Sequence, residues 1–248
     1  MARKVALVTG GAKGIGAAIV RELAANNFDV VINYLTSEKE AEFLSSELTF
    51  KYGANILLYK CDVSNEEEVN AMISFIENKL GGVDVLINNA AIDLSNMWYE
   101  KKIEDFRKTL DVNVIGAYNV ARKVYKHMLD NKWGRIINIS STNGINTYYP
   151  MCLEYDASKA ALISLTHNLS VEFAPYVTVN AIAPGFIGTE SELKGYDEEF
   201  LKSEQEKILV GRYGKPEEVA KLVAFLVSDD ASYINNSVIR IDGGQYGA

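Results

Sequence analysis

Tyr155 and Lys159 stand four apart in the run Tyr155-Asp156-Ala157-Ser158-Lys159, at the start of an amphipathic stretch that reads as a helix. Residues four apart share one helical face, with roughly 6 Å of rise between them. A tyrosine has a pKa near ~10 and is a poor proton donor or acceptor at neutral pH. An ammonium ~5 Å from a phenolate is worth roughly 3 kcal/mol at an effective dielectric of ~20, which equals about two pKa units. One correctly placed lysine would make Tyr155 a working acid/base near neutrality. The spacing alone proves nothing, because a chain with 14 tyrosines and ordinary lysine content produces such a pair by chance.

A second cluster lies between the first strand and first helix, in Thr9-Gly10-Gly11-Ala12-Lys13-Gly14-Ile15-Gly16. Glycines there permit a tight turn and a close backbone approach to a phosphate, while the helix N-terminus offers free N–H groups to a pyrophosphate. The spacing is neither the G-x-G-x-x-G fingerprint nor a P-loop. At the end of the second strand the chain reads Asn33-Tyr34-Leu35-Thr36-Ser37, with no acid before Glu38. A carboxylate there would grip the ribose 2′-hydroxyl of NAD, and would repel a 2′-phosphate. Its absence, with Lys13 in the glycine turn and Tyr34, Thr36 and Ser37 at the strand end, favours NADP(H). The alternative for Lys13 is a solvated surface lysine.

The elements that position these groups alternate along 248 residues that are 48% hydrophobic and 23% charged, a globular composition. Strands are expected at 4–9, 29–33, 55–60, 83–87, 135–139, 178–183 and 238–241. Helices are expected at 14–26, 38–52, 65–80, 110–130, 155–174 and 216–227. Continuously apolar strands separated by helical crossovers predict an α/β fold, a single-domain Rossmann-type doubly wound parallel sheet of about seven strands with helices on both faces. Ser64 with Glu67 predicts a capping box, and Gly81-Gly82 a helix stop. The acidic, glycine-punctuated segment 188–214 reads equally as a substrate lid or a surface helix pair. The glycine turn, Asn88-Asn89-Ala90-Ala91, Ser140-Ser141 and Tyr155/Lys159 each follow a strand, where such sheets bind ligands.

The net charge of −8 argues against nucleic acid and against anionic lipid. No run approaches the ~18 apolar residues of a membrane span, and the apolar run Val5–Val8 after the basic start is too short for a signal peptide. Two cysteines (Cys61, Cys152) and two histidines (His127, His167) speak against a disulfide scaffold and a zinc site. No metal is expected, and the expected location is a reducing cytoplasm.

Taken together, the chain resembles the short-chain dehydrogenase/reductases of the NADP-preferring type. The resemblance rests on Thr9–Gly16, Asp62-Val63, Asn88–Ala91, Asn113, Ile139-Ser-Ser141, Tyr155-x-x-x-Lys159, Pro184-Gly185-Phe-Ile187-Gly-Thr189 and Asp242-Gly-Gly244, which span the chain in family order. It implies that Tyr155 gives a proton to a substrate carbonyl and that Lys159 lowers its pKa and binds the nicotinamide ribose. It also implies that Ser141, the second serine, donates to the carbonyl oxygen and that Asn113 holds a water. Asp62 and Val63 would contact adenine, and Asn89 and Ala90 would line the cofactor pocket. Pro184, Gly185, Ile187 and Thr189 would sit by the nicotinamide, the last two holding its carboxamide.

The resemblance further implies NADPH-dependent reduction of a ketone to a secondary alcohol, most like 3-oxoacyl-(acyl carrier protein) reductases. Sugar, polyol or small-ketone chemistry is the enzymatic alternative, and a catalytically silent dinucleotide sensor the non-enzymatic one. Lys132 suits an acidic carrier, but Val171–Tyr176 lacks the arginine expected there. The loop between Ser141 and Tyr155 is one residue longer than usual, and Ala91 replaces a glycine. A homotetramer is implied, with helices 110–130 and 155–174 facing partner subunits; their apolar faces could instead pack on the sheet.

Overall fold

The computed structural model describes residues 3–146 and 148–246. Seven strands form one parallel sheet: β1 (Val5–Val8), β2 (Asp29–Tyr34), β3 (Ile56–Lys60), β4 (Val85–Asn88), β5 (Gly134–Ile139), β6 (Val177–Pro184) and β7 (Val238–Ile241), in the order β3-β2-β1-β4-β5-β6-β7. The central strands are buried along their whole length, which is why they read as apolar runs rather than alternating ones. The winding direction reverses between β1 and β4, and a ligand crevice opens at that point beyond the carboxyl ends.

Helices cover both faces. On one lie α1 (Gly14–Ala25), α2 (Glu38–Tyr52) and α9 (Pro216–Val227), closing a core that includes Ile19, Leu23, Leu44 and Val223. On the other lie α3 (Glu66–Leu80), α5 (Gly116–Asp130) and α6 (Leu153–Glu172), with Met72, Ile76, Val124 and Met128 beneath them. No helix of the described residues is long and apolar enough to cross a membrane, and no metal-ligating cluster forms among them.

Two local expectations change. Asn65, not Ser64, caps α3: its side chain accepts from the N–H groups of Glu67 and Glu68, while the Ser64 hydroxyl is drawn back to Asp62. Gly81 does end that helix, at φ +90°. The helix expected from Leu110 begins earlier, as α4 (Ile103–Leu110), and passes through a π-helical turn (Asp111–Ile115) into α5. Such turns frequently sit at functional sites, and this one carries Asn113. The segment 188–214 forms a helix pair, α7 (Glu190–Gly195) and α8 (Glu198–Glu206). Ser191, Glu192, Tyr196 and Phe200 of this pair line the crevice.

Candidate active site

The switch point is stitched by short polar contacts. The Thr9 hydroxyl accepts from the backbone N–H groups of Asn89 and Ala90 at 2.9 and 3.0 Å. The Asn89 amide donates to the carbonyls of Thr9 and Gly10. Gly10 and Gly14 adopt φ of +60° and +52°, a region that favours glycine. A Cβ on Gly16 would lie 2.4 Å from the Gly10 oxygen, so only glycine lets helix and turn meet. Helix α1 starts after Lys13 with no side-chain cap and no acid in its first turn. Its free N–H groups, with Ile15 and Gly16 on the crevice wall, suit a pyrophosphate.

Beyond the turn, the fold supplies carboxylates that the sequence order hides. Tyr34 is buried and its hydroxyl donates to Glu38 at 3.2 Å; burial and then Glu38 hold this phenol above its usual value. Lys13 is not a free lysine but pairs with Glu40 at 2.8 Å, and that hydrogen bond holds the Glu40 carboxyl below the usual range. Thr36 is exposed, and Ser37 precedes α2 without capping it. The pair is exposed, and an exposed ion pair holds its partners only weakly. Asp62 and Val63 lie outside the crevice wall. The Asp62 carboxylate accepts from the Ser64 N–H and hydroxyl, and Val63 packs under Gly116.

Tyr155 and Lys159 occupy the first turns of α6 and face the same crevice. The Lys159 ammonium lies 5.3 Å from the Tyr155 ring centre and donates to the Ile139 carbonyl at 2.8 Å. Ser140 is spent on structure, its hydroxyl donating to the Lys159 carbonyl. Ser141 lines the crevice beside Tyr155; its hydroxyl donates to the Asn143 side-chain oxygen at 3.3 Å and accepts from the Asn143 N–H. Asn113 is buried, and its side chain is fully engaged. It accepts from the Ile92 N–H at 2.8 Å and donates to the Ile92 carbonyl and the Ser158 hydroxyl. That side chain clamps the loop after β4 to α6.

The electrostatics correct the simple charge argument. The Tyr155 phenol is raised above its ordinary value, first by burial and then by Asp93, against a lowering by Ser141. Burial also pushes the Lys159 ammonium down to about 8, with Asp93 opposing. Within the protein, desolvation outweighs the attraction expected between ammonium and phenolate.

The crevice encloses about 740 Å³. Pro184, Gly185, Ile187 and Thr189 line it at the end of β6, where Thr189 caps α7 by accepting from the Glu192 N–H. A Cβ on Gly185 would strike Asp242 and Gln245. The substrate end is walled by Phe186, Tyr196 and Phe200, mutually packed at ring separations of 4.6–6.4 Å. Tyr149, in the longer loop, donates to the buried Glu204 of α8 at 2.5 Å, and Lys207 holds the other oxygen. Asp93 and Glu192 also line this end. Sequence reasoning missed both; the available signal was a carboxylate four residues past Asn89, beyond a strand that points into the crevice.

Comparison with known proteins agrees with this geometry. The family model described as Enoyl-(Acyl carrier protein) reductase matches residues 10–245. The chain is 38% identical over 244 residues to the 3-oxoacyl-(acyl-carrier-protein) reductase of Aquifex aeolicus, covering 98% of this chain and 97% of that protein. It is 40% identical over 245 residues to the acetoacetyl-CoA reductase of Rhizobium meliloti, covering 98% of each. A short-chain dehydrogenase/reductase from Serratia marcescens superposes with a TM-score of 0.91 at 35% identity, over 97% of each chain. The acetoin dehydrogenase of Salmonella typhimurium superposes with a TM-score of 0.87 at 34% identity, over 98% of this chain and 96% of that one. Whole-length matches of this quality, on a crevice built from a glycine turn and a Tyr–Lys pair, place the chain in the short-chain dehydrogenase/reductase family, the NAD(P)-dependent oxidoreductases.

Proposed function

We propose that the protein reduces the ketone of a 3-oxoacyl thioester to a secondary alcohol, with NADPH as reductant and Tyr155 as proton donor. The observation that carries this reading is the convergence of the Tyr155, Ser141 and Lys159 side chains on one crevice that ends at the glycine turn. The dinucleotide, when bound, supplies the hydride and, once oxidised, a positive charge beside the phenol. The protein does the rest. The Ser141 and Tyr155 hydroxyls donate to the carbonyl oxygen, which becomes an alkoxide as the bond forms. The proton on Tyr155 Oη passes to that alkoxide, and the ammonium of Lys159 stabilises the phenolate left behind.

The two relatives named as reductases of acyl thioesters support the substrate class. A small ketone or polyol is the second reading, favoured by the polar substrate end formed by Asp93, Glu192 and the Tyr149–Glu204 contact. NADPH oxidation with an acetoacetyl thioester, acetoin and a sugar panel separates them: a thioester kcat/KM no greater than the others defeats the first reading. No turnover on any of them, with tight nucleotide binding, would indicate the sensor.

For the cofactor, Lys13→Ala is expected to raise the KM for NADPH about tenfold, the loss of one charge-assisted phosphate contact, and to leave the KM for NADH within about twofold. Steady-state titration of both nucleotides checks this; an equal effect on the two removes Lys13 from phosphate recognition. We further read the protein as a homotetramer, because α4, α5 and α6 present Ile103, Phe106, Tyr118 and Val171 outward, and as cytoplasmic, because Cys61 and Cys152 are free.

A further inference from the structure

Three acidic side chains line the crevice at its substrate end, and their circumstances differ. Asp197 is occupied as the cap of α8, its carboxylate accepting from the Phe200 N–H at 2.8 Å. Among the described residues, Asp93 accepts only from the Ser95 hydroxyl at 2.8 Å and the Cys152 thiol at 3.6 Å. Glu192 has no side-chain partner among the described residues, and neither it nor Asp93 forms an ion pair there. The basic residues on the crevice wall are Lys13 and Lys159. Lys13 stands at the dinucleotide end beside Glu40, and Lys159 is committed to the Ile139 carbonyl beneath the phenol. Among the described residues, no cation therefore faces the space where a ketone's side arms must lie.

The position of Asp93 is fixed rather than incidental. Asn113 grips both backbone polar groups of Ile92, the preceding residue. Lys101 holds the Leu94 carbonyl, the following residue, and is itself anchored on the fully buried Glu154 at 2.6 Å. The carboxylate is thus presented to the crevice by a segment clamped on either side. Its charge is felt at Tyr155, Lys159, Cys152 and Glu192 alike.

We propose that Asp93, seconded by Glu192, is a specificity-determining residue that makes the crevice reject ketones bearing a carboxylate near the reacting carbonyl and admit their neutral ester or thioester forms. This rests on the ketone-reduction reading above and deepens it. A 3-oxo acid carries its carboxylate two carbons from the ketone. With the ketone oxygen on Tyr155 and Ser141, that carboxylate enters the space lined by Asp93 and Glu192, where like charges repel and no arginine or lysine compensates. A thioester of the same acid is neutral at that position. Any phosphates of its carrier lie at the far end of a long arm, outside the crevice.

The test uses the NADPH-loaded protein with acetoacetate, ethyl acetoacetate and the N-acetylcysteamine thioester of acetoacetate. The wild type is expected to prefer either neutral compound over acetoacetate by about a hundredfold or more in kcat/KM. In Asp93→Asn, which keeps the shape and the acceptor for Ser95, that ratio is expected to fall about tenfold; Glu192→Gln is expected to lower it by a smaller factor. A ratio in Asp93→Asn within about threefold of the wild type overturns the proposal. Binding of the same three compounds to the NADPH-loaded Tyr155→Phe protein, with and without Asp93→Asn, followed by nicotinamide fluorescence, reads the discrimination without turnover. If no ketone is reduced, the catalytic reading fails, while the binding ratio still decides the role of Asp93.

Discussion

Tyr155→Phe is expected to lower kcat for ketone reduction by about 10³–10⁴-fold, at the upper end of what a positioned acid contributes, with NADPH affinity within about twofold of the wild type. Phenylalanine keeps the ring that packs at the start of α6 and removes only the hydroxyl. Neither Ser141 nor Lys159 can take over the proton. Ser141 carries an aliphatic hydroxyl, intrinsically a weaker acid than a phenol, and the Lys159 ammonium points to the Ile139 carbonyl, not into the substrate space. The dinucleotide contacts expected at the glycine turn lie on α1 and β4, apart from the phenol, so affinity is spared. Stopped-flow turnover and nucleotide titration of the same preparation check both halves. A variant that keeps a tenth of the wild-type rate removes Tyr155 from its role.

Lys159→Met is expected to lower kcat by about 10²–10³-fold and, at neutral pH, to make the protein more stable. The second effect follows from burial. Lys159 is 3% exposed, and its ammonium is pushed from 10.5 down to about 8. The unfolded chain binds this proton more tightly than the folded one across that window. Stability therefore rises with pH through it, and the buried charge exerts its full cost below about 8. That cost is at most ~3 kcal/mol, offset by ~1 kcal/mol for the hydrogen bond to Ile139 that methionine loses. A net gain of ~1–2 kcal/mol raises Tm by ~2–8 °C in a chain of this size. The gain should shrink as pH rises toward the lysine's ordinary value. Thermal unfolding of wild type and variant at two pH values measures it; a variant less stable at neutrality contradicts a strained, buried ammonium.

Most of the sheet was legible in the sequence because its strands are buried on both faces and read as apolar runs, and because glycines and asparagines mark the strand ends. The Tyr155–Lys159 pair was legible for a local reason, helical spacing. What escaped was set by contacts between distant segments. Glu38 and Glu40 follow β2 in the chain, yet α2 folds back to bring Glu40 to Lys13. Asn113 looks like a polar residue entering a helix; only the π-helical turn shows it reaching Ile92 and Ser158. The Tyr149–Glu204 contact joins residues 55 apart. The sign of the Tyr155 shift also escaped, because charge spacing can be read from sequence while burial of the phenol cannot.

The most direct test of the proton-transfer chemistry is the pH dependence of kcat for reduction, at saturating NADPH and ketone, in the wild type and in Lys159→Met. The expected result is a wild-type rate that is level through neutrality and falls as pH passes about 8, where Lys159 loses its proton, with alcohol oxidation rising over the same range. Lys159→Met should be slow throughout and lack that limb. A wild-type rate that stays level far into alkali, or the same limb in the methionine variant, would contradict a phenol and ammonium working as one acid.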